Sequence, residues 1–331
     1  MSSEPTRDYS VFGLVVRSDL PLPELFPHEA QGAADVTIHA GEVPEAVHAP
    51  EGLSAGDDAL LLVIPGVARY RIADGRSITV QAEVDVPDRN VRLFLLGSAF
   101  GALLHQRGLL PLHANAVEIG GTAIALMGES GAGKSTLAAA FRDRGYRVIA
   151  DDVCVVGFDA DGKPHAKPGL PRLRLWAEAL EVMGQGTAGF EHSYVGDERF
   201  DKFDVPLDAS SAVRSDIPLS GLYLLGRADE LSIDRLTGVE AADAVFANTY
   251  RGGFISAANG QENHWSSAVR LVRSLPVFLA SREWDLGKLD EQCRMLLDHA
   301  IALVGLKPNQ LVPATFRIKC PADMPRSSPY R

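Results

Sequence analysis

Basic residues are in short supply: 32 Lys and Arg stand against 43 Asp and Glu in 331 residues, a formal net charge of −11. A nucleic-acid binder that draws its affinity from neutralising phosphates is therefore not expected, although a local basic pocket for a small phosphorylated ligand is compatible with the balance. Cysteine is scarce too. Cys154, Cys293 and Cys320 are odd in number and widely spaced, which supports neither a disulfide framework nor a zinc site and points to a reducing cytosol. Long apolar runs are missing. The longest, Ala59 to Ile64, stops at Pro65, far short of a membrane span. The opening Met-Ser-Ser-Glu-Pro-Thr-Arg lacks the apolar core of a signal peptide. The expectation is a cytoplasmic protein with no membrane and no nucleic acid among its partners. What is present is ordinary: 46% apolar and 23% charged residues, in a length that suits one large or two modest domains.

Residues 1–88 read as short strands separated by Pro and Gly turns: Val11–Val16, Asp35–His39, Ala59–Ile64, Ala68–Ile72 and Ser77–Val80. This is a small β-rich accessory domain, or one that grips a peptide or protein substrate. The pattern changes near Val86-Pro87-Asp88. Val91–Gln106 is apolar almost all round, as in a buried helix. Strands at Ala114–Ile119 and Ala123–Met127, joined by Gly120-Gly121, form a hairpin that feeds a glycine-rich loop. A helix over Lys134–Arg144 and a strand at Arg147–Ala150 follow. Further helices are expected at Leu173–Met183, Val239–Ala247, Asn263–Arg273 and Leu289–Leu303, with strands at Leu219–Leu225 and Val277–Ala280. Helices interleaved with buried strands indicate an α/β domain over residues 89–305. Residues 306–331, rich in Pro, read as an extended or disordered tail.

The chemistry concentrates in one stretch. Gly128-Glu129-Ser130-Gly131-Ala132-Gly133-Lys134-Ser135 satisfies G-x-x-x-x-G-K-[ST], between a strand and a helix as the motif requires. Its glycines let the backbone N–H groups wrap an anion at a helix N-terminus. Lys134 is expected to reach the β- and γ-phosphates of a nucleoside triphosphate, and the Ser135 hydroxyl, followed by Thr136, to ligate Mg²⁺. Asp151 and Asp152 end the next strand, 17 residues after Lys134, and so arrive beside the loop. Adjacent residues on a strand end point in opposite directions, so one acid can hold Mg²⁺ and the other accept a proton from an attacking hydroxyl. An acid this early, with no Leu-Ser-Gly-Gly-Gln signature, disfavours a motor or transporter ATPase. His113 precedes Lys134 by 21 residues, and a hairpin of that length returns it alongside the loop. A lone His is otherwise most often structural.

Together these elements resemble the catalytic domain of bacterial HPr kinase/phosphorylase and its HPr-kinase-like relatives. The stretch LHANAVEIGGTAIALMGESGAGKSTLAAAFRDRGYRVIADDVCVV, Leu112 to Val156, carries the likeness through its His, its loop, and the "RG" and "ADD" that follow. The resemblance implies an α/β P-loop catalytic domain related to ATP-dependent phosphoenolpyruvate carboxykinases, behind the β-rich N-terminal domain. It implies that Asp151 activates the acceptor hydroxyl, that Asp152 and Ser135 organise Mg²⁺, and that His113 contacts the phosphates. It also implies ATP as the donor and a serine of a protein or peptide as the acceptor. Because family members form closed oligomers, a homo-oligomer belongs among the expected partners. The family's E-x-R-G-x-G signature is not found between Asp201 and Ser220, so phosphorylase activity and HPr itself as substrate are not expected. The front of the chain (FGLVVRSDLPLPEL, Phe12 to Leu25, then Ala34-Asp35-Val36) is similar to HPr-kinase-like proteins found with lasso-peptide biosynthesis. Some of those phosphorylate a precursor peptide.

Lesser candidates are cations. Arg199, Lys202 and Arg214 could close over phosphates or bind the acceptor, and Arg251, in Asn248-Thr249-Tyr250-Arg251, resembles a family aromatic–Arg pair. Solvated surface charge and a last-turn helix cation are the ordinary readings of these residues. Trp176, Trp265 and Trp284 read as core or interface residues, and Cys154 as packed. The leading expectation is an Mg-ATP-dependent serine/threonine kinase acting on a peptide or small protein. A small-molecule kinase is the alternative, although such enzymes usually show Asp-x-Asp and a loop near the start of the chain, and here 127 residues precede it. A nucleotide-dependent regulatory protein is disfavoured by the intact Lys134, Ser135, Asp151 and Asp152.

Overall fold

The computed structural model describes residues 6–29, 32–43, 52–56, 59–196 and 201–306. The expected tail from 307 onward and Arg199 lie outside the described residues. Strands β1 (Arg7–Val11), β2 (Leu14–Ser18), β3 (Phe26–Pro27), β4 (Val36–Ala40), β5 (Gly52–Ala55), β6 (Leu60–Ile64), β7 (Ala68–Ala73) and β8 (Ser77–Ala82) form one mixed sheet in the order β3-β1-β2-β4-β8-β7-β6-β5. Alternation decides its inner face, as in β7, where Ala68, Tyr70 and Ile72 are buried. The single strand expected over Val11–Val16 is broken by the turn of the β1–β2 hairpin, with Val11 ending β1 and Leu14–Val16 opening β2. Phe12 and Gly13 both take positive φ (54° and 71°), and the Phe12 ring drops into the core against Phe100, 6.1 Å between centroids.

Helices α1 (Asp88–Phe94) and α2 (Phe100–Gln106) are joined by a π-helical turn, Leu95–Ala99. This rod is buried in the same core as the first sheet, and Tyr70 donates to the Val91 carbonyl at 2.8 Å. Its other side meets Val153, Val155, Leu170 and Tyr250. The transition expected near Val86–Asp88 does mark the passage from β8 to α1, but one continuous apolar core spans it. The Gly97 and Gly101 face of the rod lets the Tyr250 ring approach closely: a Cβ on Gly101 would meet that ring at 3.0 Å.

The remaining strands are β9 (Leu110–Leu112), β10 (Ala114–Ile119), β11 (Thr122–Met127), β12 (Val148–Ala150), β13 (Cys154–Phe158), β14 (Pro164–Lys167), β15 (Arg172–Trp176), β16 (Glu191–His192), β17 (Lys202–Pro206), β18 (Ile217–Arg227), β19 (Ser232–Leu236) and β20 (Val277–Arg282). The helices among them are α3 (Lys134–Asp143), α4 (Ala177–Val182), α5 (Gly238–Ala247), α6 (Gln261–Ser274) and α7 (Leu289–Leu303). A second mixed sheet runs β12-β10-β11-β18-β14-β13-β9, with β20 parallel to β18 and β19 antiparallel to β20. Residue alternation along β10 and β11 gives it two apolar faces. Val117, Ile119, Ile124 and Leu126 pack with α3 and α7, while Ala114, Ala116, Ala123 and Ala125 pack with α5 and α6. The molecule is thus mixed α/β, with helices on both faces of a central sheet.

The helix expected over Leu173–Met183 is corrected. Its first half is strand β15, which with β17 and β16 makes a small antiparallel sheet. Leu173 and Leu175 face the core, while Arg172 and Arg174 face the half-buried Asp204, so the residue period is two. Only Ala177–Val182 is helical. The tryptophans are not core: Trp176, Trp265 and Trp284 are 41%, 60% and 41% exposed. Among the described residues, no helix is long and apolar enough to cross a membrane.

Candidate active site

The turn from β11 into α3 is built on glycine. Gly128, Gly131 and Gly133 take φ of 148°, 87° and 79°, a backbone that L side chains rarely adopt, so three left-handed residues wind the chain into a concave loop ahead of Lys134. The Gly128 N–H is anchored by the Asn248 side-chain carbonyl at 2.8 Å, and the Asn248 amide donates to the Ala244 carbonyl, also at 2.8 Å. Lys134 is 6% exposed. Its ammonium donates to the Gly128 and Glu129 carbonyls at 2.7 and 2.9 Å, and burial pulls its pKa down to about 8.

His113, between β9 and β10, stands 3.1 Å from Lys134 through Nε2, and Asn248 O holds its own backbone N–H at 2.7 Å. An ammonium can only donate to Nε2, which leaves the proton on Nδ1. Nδ1 lies 3.1 Å from the Asp152 carbonyl and 3.3 Å from its carboxylate. The hairpin therefore does return His113 beside the loop.

Asp151 and Asp152 diverge as adjacent residues on a strand end should. Asp151, 5% exposed, turns inward, accepting from Asn115 Nδ2 at 2.5 Å and from the Arg174 N–H at 2.7 Å, with the Ser135 hydroxyl in hydrogen-bonding reach. Burial raises its pKa, and the neighbouring Asp152 charge adds to the rise. Asp152 has φ of 69° and faces a cavity of about 500 Å³. Burial pushes its carboxyl up, but the His113 hydrogen bond and the Arg174 charge at 3.4 Å outweigh that and hold it well below the usual carboxylate range.

The floor of this cavity is Ser130, Gly131, Gly133, Lys134, Ser135 and Thr136, with His113 and Asp152 beside them. Gly128, Glu129 and Ala132 contribute carbonyls to Lys134 and Arg282 rather than surface. Lys202 lines the cavity, 4.8 Å from the Trp176 ring. Arg251 does not. It is exposed, takes φ of 51°, and lies 5.7 and 5.8 Å from the Tyr250 and Phe254 rings. Arg214 sits over the Phe26 ring at 4.1 Å, away from the cavity.

Several residues here escaped the reading of the sequence. Arg174 lines the cavity next to Asp152 but was concealed within an expected helix. Arg282, Trp284 and the buried Gln292 also line the cavity, on a wall that meets the loop at Arg282. Asn115 had a local signal, since it lies two positions after His113. Among the described residues, no group of three or more His, Cys, Asp or Glu could hold a metal ion unaided. Known proteins add nothing to this description: no family model matches the chain, and no curated protein matches it at a significant level.

Proposed function

We propose that the chain is an Mg-ATP-dependent phosphotransferase of the HPr-kinase-like type, moving the γ-phosphoryl group to a serine or threonine hydroxyl of a peptide or small protein. One observation carries the reading: Lys134, His113 and Asp152 converge on a single cavity above a left-handed glycine loop, with Ser135 and Asp151 joined beneath them. The cavity's size suits a nucleotide, since ligand sites generally span about 300–1,000 Å³. The loop glycines leave the backbone free to approach phosphates, and Lys134 has donors held in reserve on loop carbonyls.

The donor set also fits Mg²⁺. Ser135 offers a hydroxyl oxygen on the cavity floor, with the Asp151 carboxylate hydrogen-bonded behind it, which suits an ion that completes its shell with phosphate and water. When bound, Mg²⁺ supplies charge neutralisation at the phosphates. Lys134 contributes a further positive charge at the loop. Asp152, the one of the two adjacent aspartates that lines the cavity, accepts the hydrogen bond of the incoming hydroxyl and then its proton, while the new O–P bond forms and ADP departs. Its low basicity suits late proton transfer, since phosphoryl transfer passes through a loose transition state that needs alignment more than a strong base. This exchanges the roles the resemblance implies for Asp151 and Asp152, because only Asp152 faces the reactants.

The test incubates the purified chain with Mg²⁺, γ-labelled ATP and a desalted extract, with the small metabolites restored in a parallel tube and an Asp152→Asn variant beside each. Label on a polypeptide that disappears in the variant supports the proposal. Label confined to a metabolite replaces it with a small-molecule kinase.

A further inference from the structure

Arg282 is buried and stands apart from the half-buried arginines of the molecule. Arg89, Arg172 and Arg174 share Asp204, and Arg92 is paired with Glu24. Arg282, the last residue of β20, is 5% exposed and has no carboxylate within ion-pairing distance among the described residues. Its guanidinium donates to the Ala132 carbonyl of the glycine loop and to Gln292 Oε1, while Nε has no partner. Burial lowers its pKa to about 10. A buried cation without a counter-charge is costly and persists where an anion is to be received. The guanidinium lines the cavity, so close to the loop that a Cβ on Gly133 would meet it at 2.5 Å.

Trp284 follows two residues later on the same wall, 41% exposed. One side chain fixes its spacing from Arg282. Gln292, fully buried in α7, accepts from Arg282 and donates to the Glu283 and Asp285 carbonyls at 2.8 and 3.4 Å, gripping the backbone on both sides of the tryptophan. The Arg227 guanidinium lies over the Trp284 ring, 5.6 Å from its centroid, and Arg227 does not line the cavity, whereas Trp284 does. A guanidinium beside the loop and a part-exposed aromatic ring beyond it match the order of groups in a nucleotide: phosphates, then ribose, then base.

We infer that Arg282 and Trp284 form the nucleoside end of the site, Arg282 binding a phosphate oxygen on the ribose side and Trp284 stacking on the base. This rests on the reading of the loop as a nucleotide site. Stacking of this kind tolerates every base, because each has a π-face.

The experiment measures calorimetric binding of Mg-ATP and of Mg-tripolyphosphate, which has the phosphates without the nucleoside, to the full chain. Trp284→Ala should weaken Mg-ATP by on the order of tenfold, as loss of one stacking platform does. It should leave tripolyphosphate unchanged, and Trp284→Phe should restore most of the loss. Arg282→Gln should weaken both ligands, and Arg282→Lys less so, with melting curves confirming that each variant is folded. If Trp284→Ala binds Mg-ATP as the wild type does, or loses both ligands equally, the stacking role is overturned. If folded Arg282→Gln retains both, the phosphate role is overturned. A wild-type chain that binds neither ligand overturns the nucleotide reading itself, a result distinct from either of these.

Discussion

The Asn248 side-chain carbonyl accepts the Gly128 N–H at 2.8 Å, tying the end of α5 to the first residue of a glycine loop 120 positions earlier. The same residue's backbone carbonyl holds the His113 N–H at 2.7 Å, so one asparagine sets both the loop and the histidine that faces it.

Asn248→Ala would leave the buried Gly128 N–H without its acceptor. An unsatisfied buried donor costs about 1–3 kcal/mol, so the unfolding midpoint in urea should fall accordingly and Mg-ATP should bind more weakly. A variant that matches the wild type in both measurements would show that the bond does not hold the loop.

The two carboxylates should separate in kinetics. Asp152→Asn removes the group facing the acceptor and should lower transfer by roughly 10²–10⁴-fold, the usual scale for a general base, with Mg-nucleotide affinity kept. Asp151→Asn should instead raise the Mg²⁺ concentration needed for half-maximal rate, because Asp151 is hydrogen-bonded to the Ser135 hydroxyl on the cavity floor. The reverse pattern would return the roles to those implied by the family resemblance.

Local pattern made much of this site legible, and distant pairing hid the rest. The hairpin β10–β11, the loop, α3 and the acids at the end of β12 are contiguous in the chain, and α7 at Leu289–Leu303 coincides with its periodic segment. Leu173–Trp176 read as the start of a helix because the acids and leucines that follow continue a helical spacing. The strand exists only because Leu173 pairs with Val205 and Arg174 with Asp204, about 30 residues away. Arg174 and Arg282 were unreadable for the same reason: an isolated cation acquires meaning from what it faces. Arg251 had a plausible local context, but its left-handed backbone directs it toward the Tyr250 and Phe254 rings.

Acid should destabilise the fold well before the carboxylates titrate. His105 and His264, 3% and 8% exposed, lie 6.2 Å apart between ring centroids, with His105 Nε2 at the Tyr250 carbonyl and His264 Nδ1 unpartnered. Burial lowers the pKa of both from 6.5. Below that value the unfolded chain takes up protons that the native chain refuses, so stability falls as pH falls, by up to about 1.4 kcal/mol per pH unit for each histidine. Thermal midpoints between pH 7 and 5 should therefore drop, and His264→Gln should flatten the slope. An unchanged slope in that variant would remove His264 from the account.

Cysteine reactivity runs the other way with pH. Cys154 in β13 and Cys293 in α7 are both fully buried, and burial pushes each thiol from 9.0 up to about 12. The thiolate is the reacting species, so at pH 8 the native chain should leave both unlabelled by a disulfide reagent, while the urea-unfolded chain labels both. Above about pH 9 the unfolded thiols ionise and the native ones do not, so stability should decline as pH rises through that region. Mass mapping distinguishes these sites from Cys320, which lies outside the described residues. Rapid native labelling of Cys293 would show that α7 separates from α3 in solution. That would loosen Gln292 and, with it, the grip on Arg282 and the Trp284 segment.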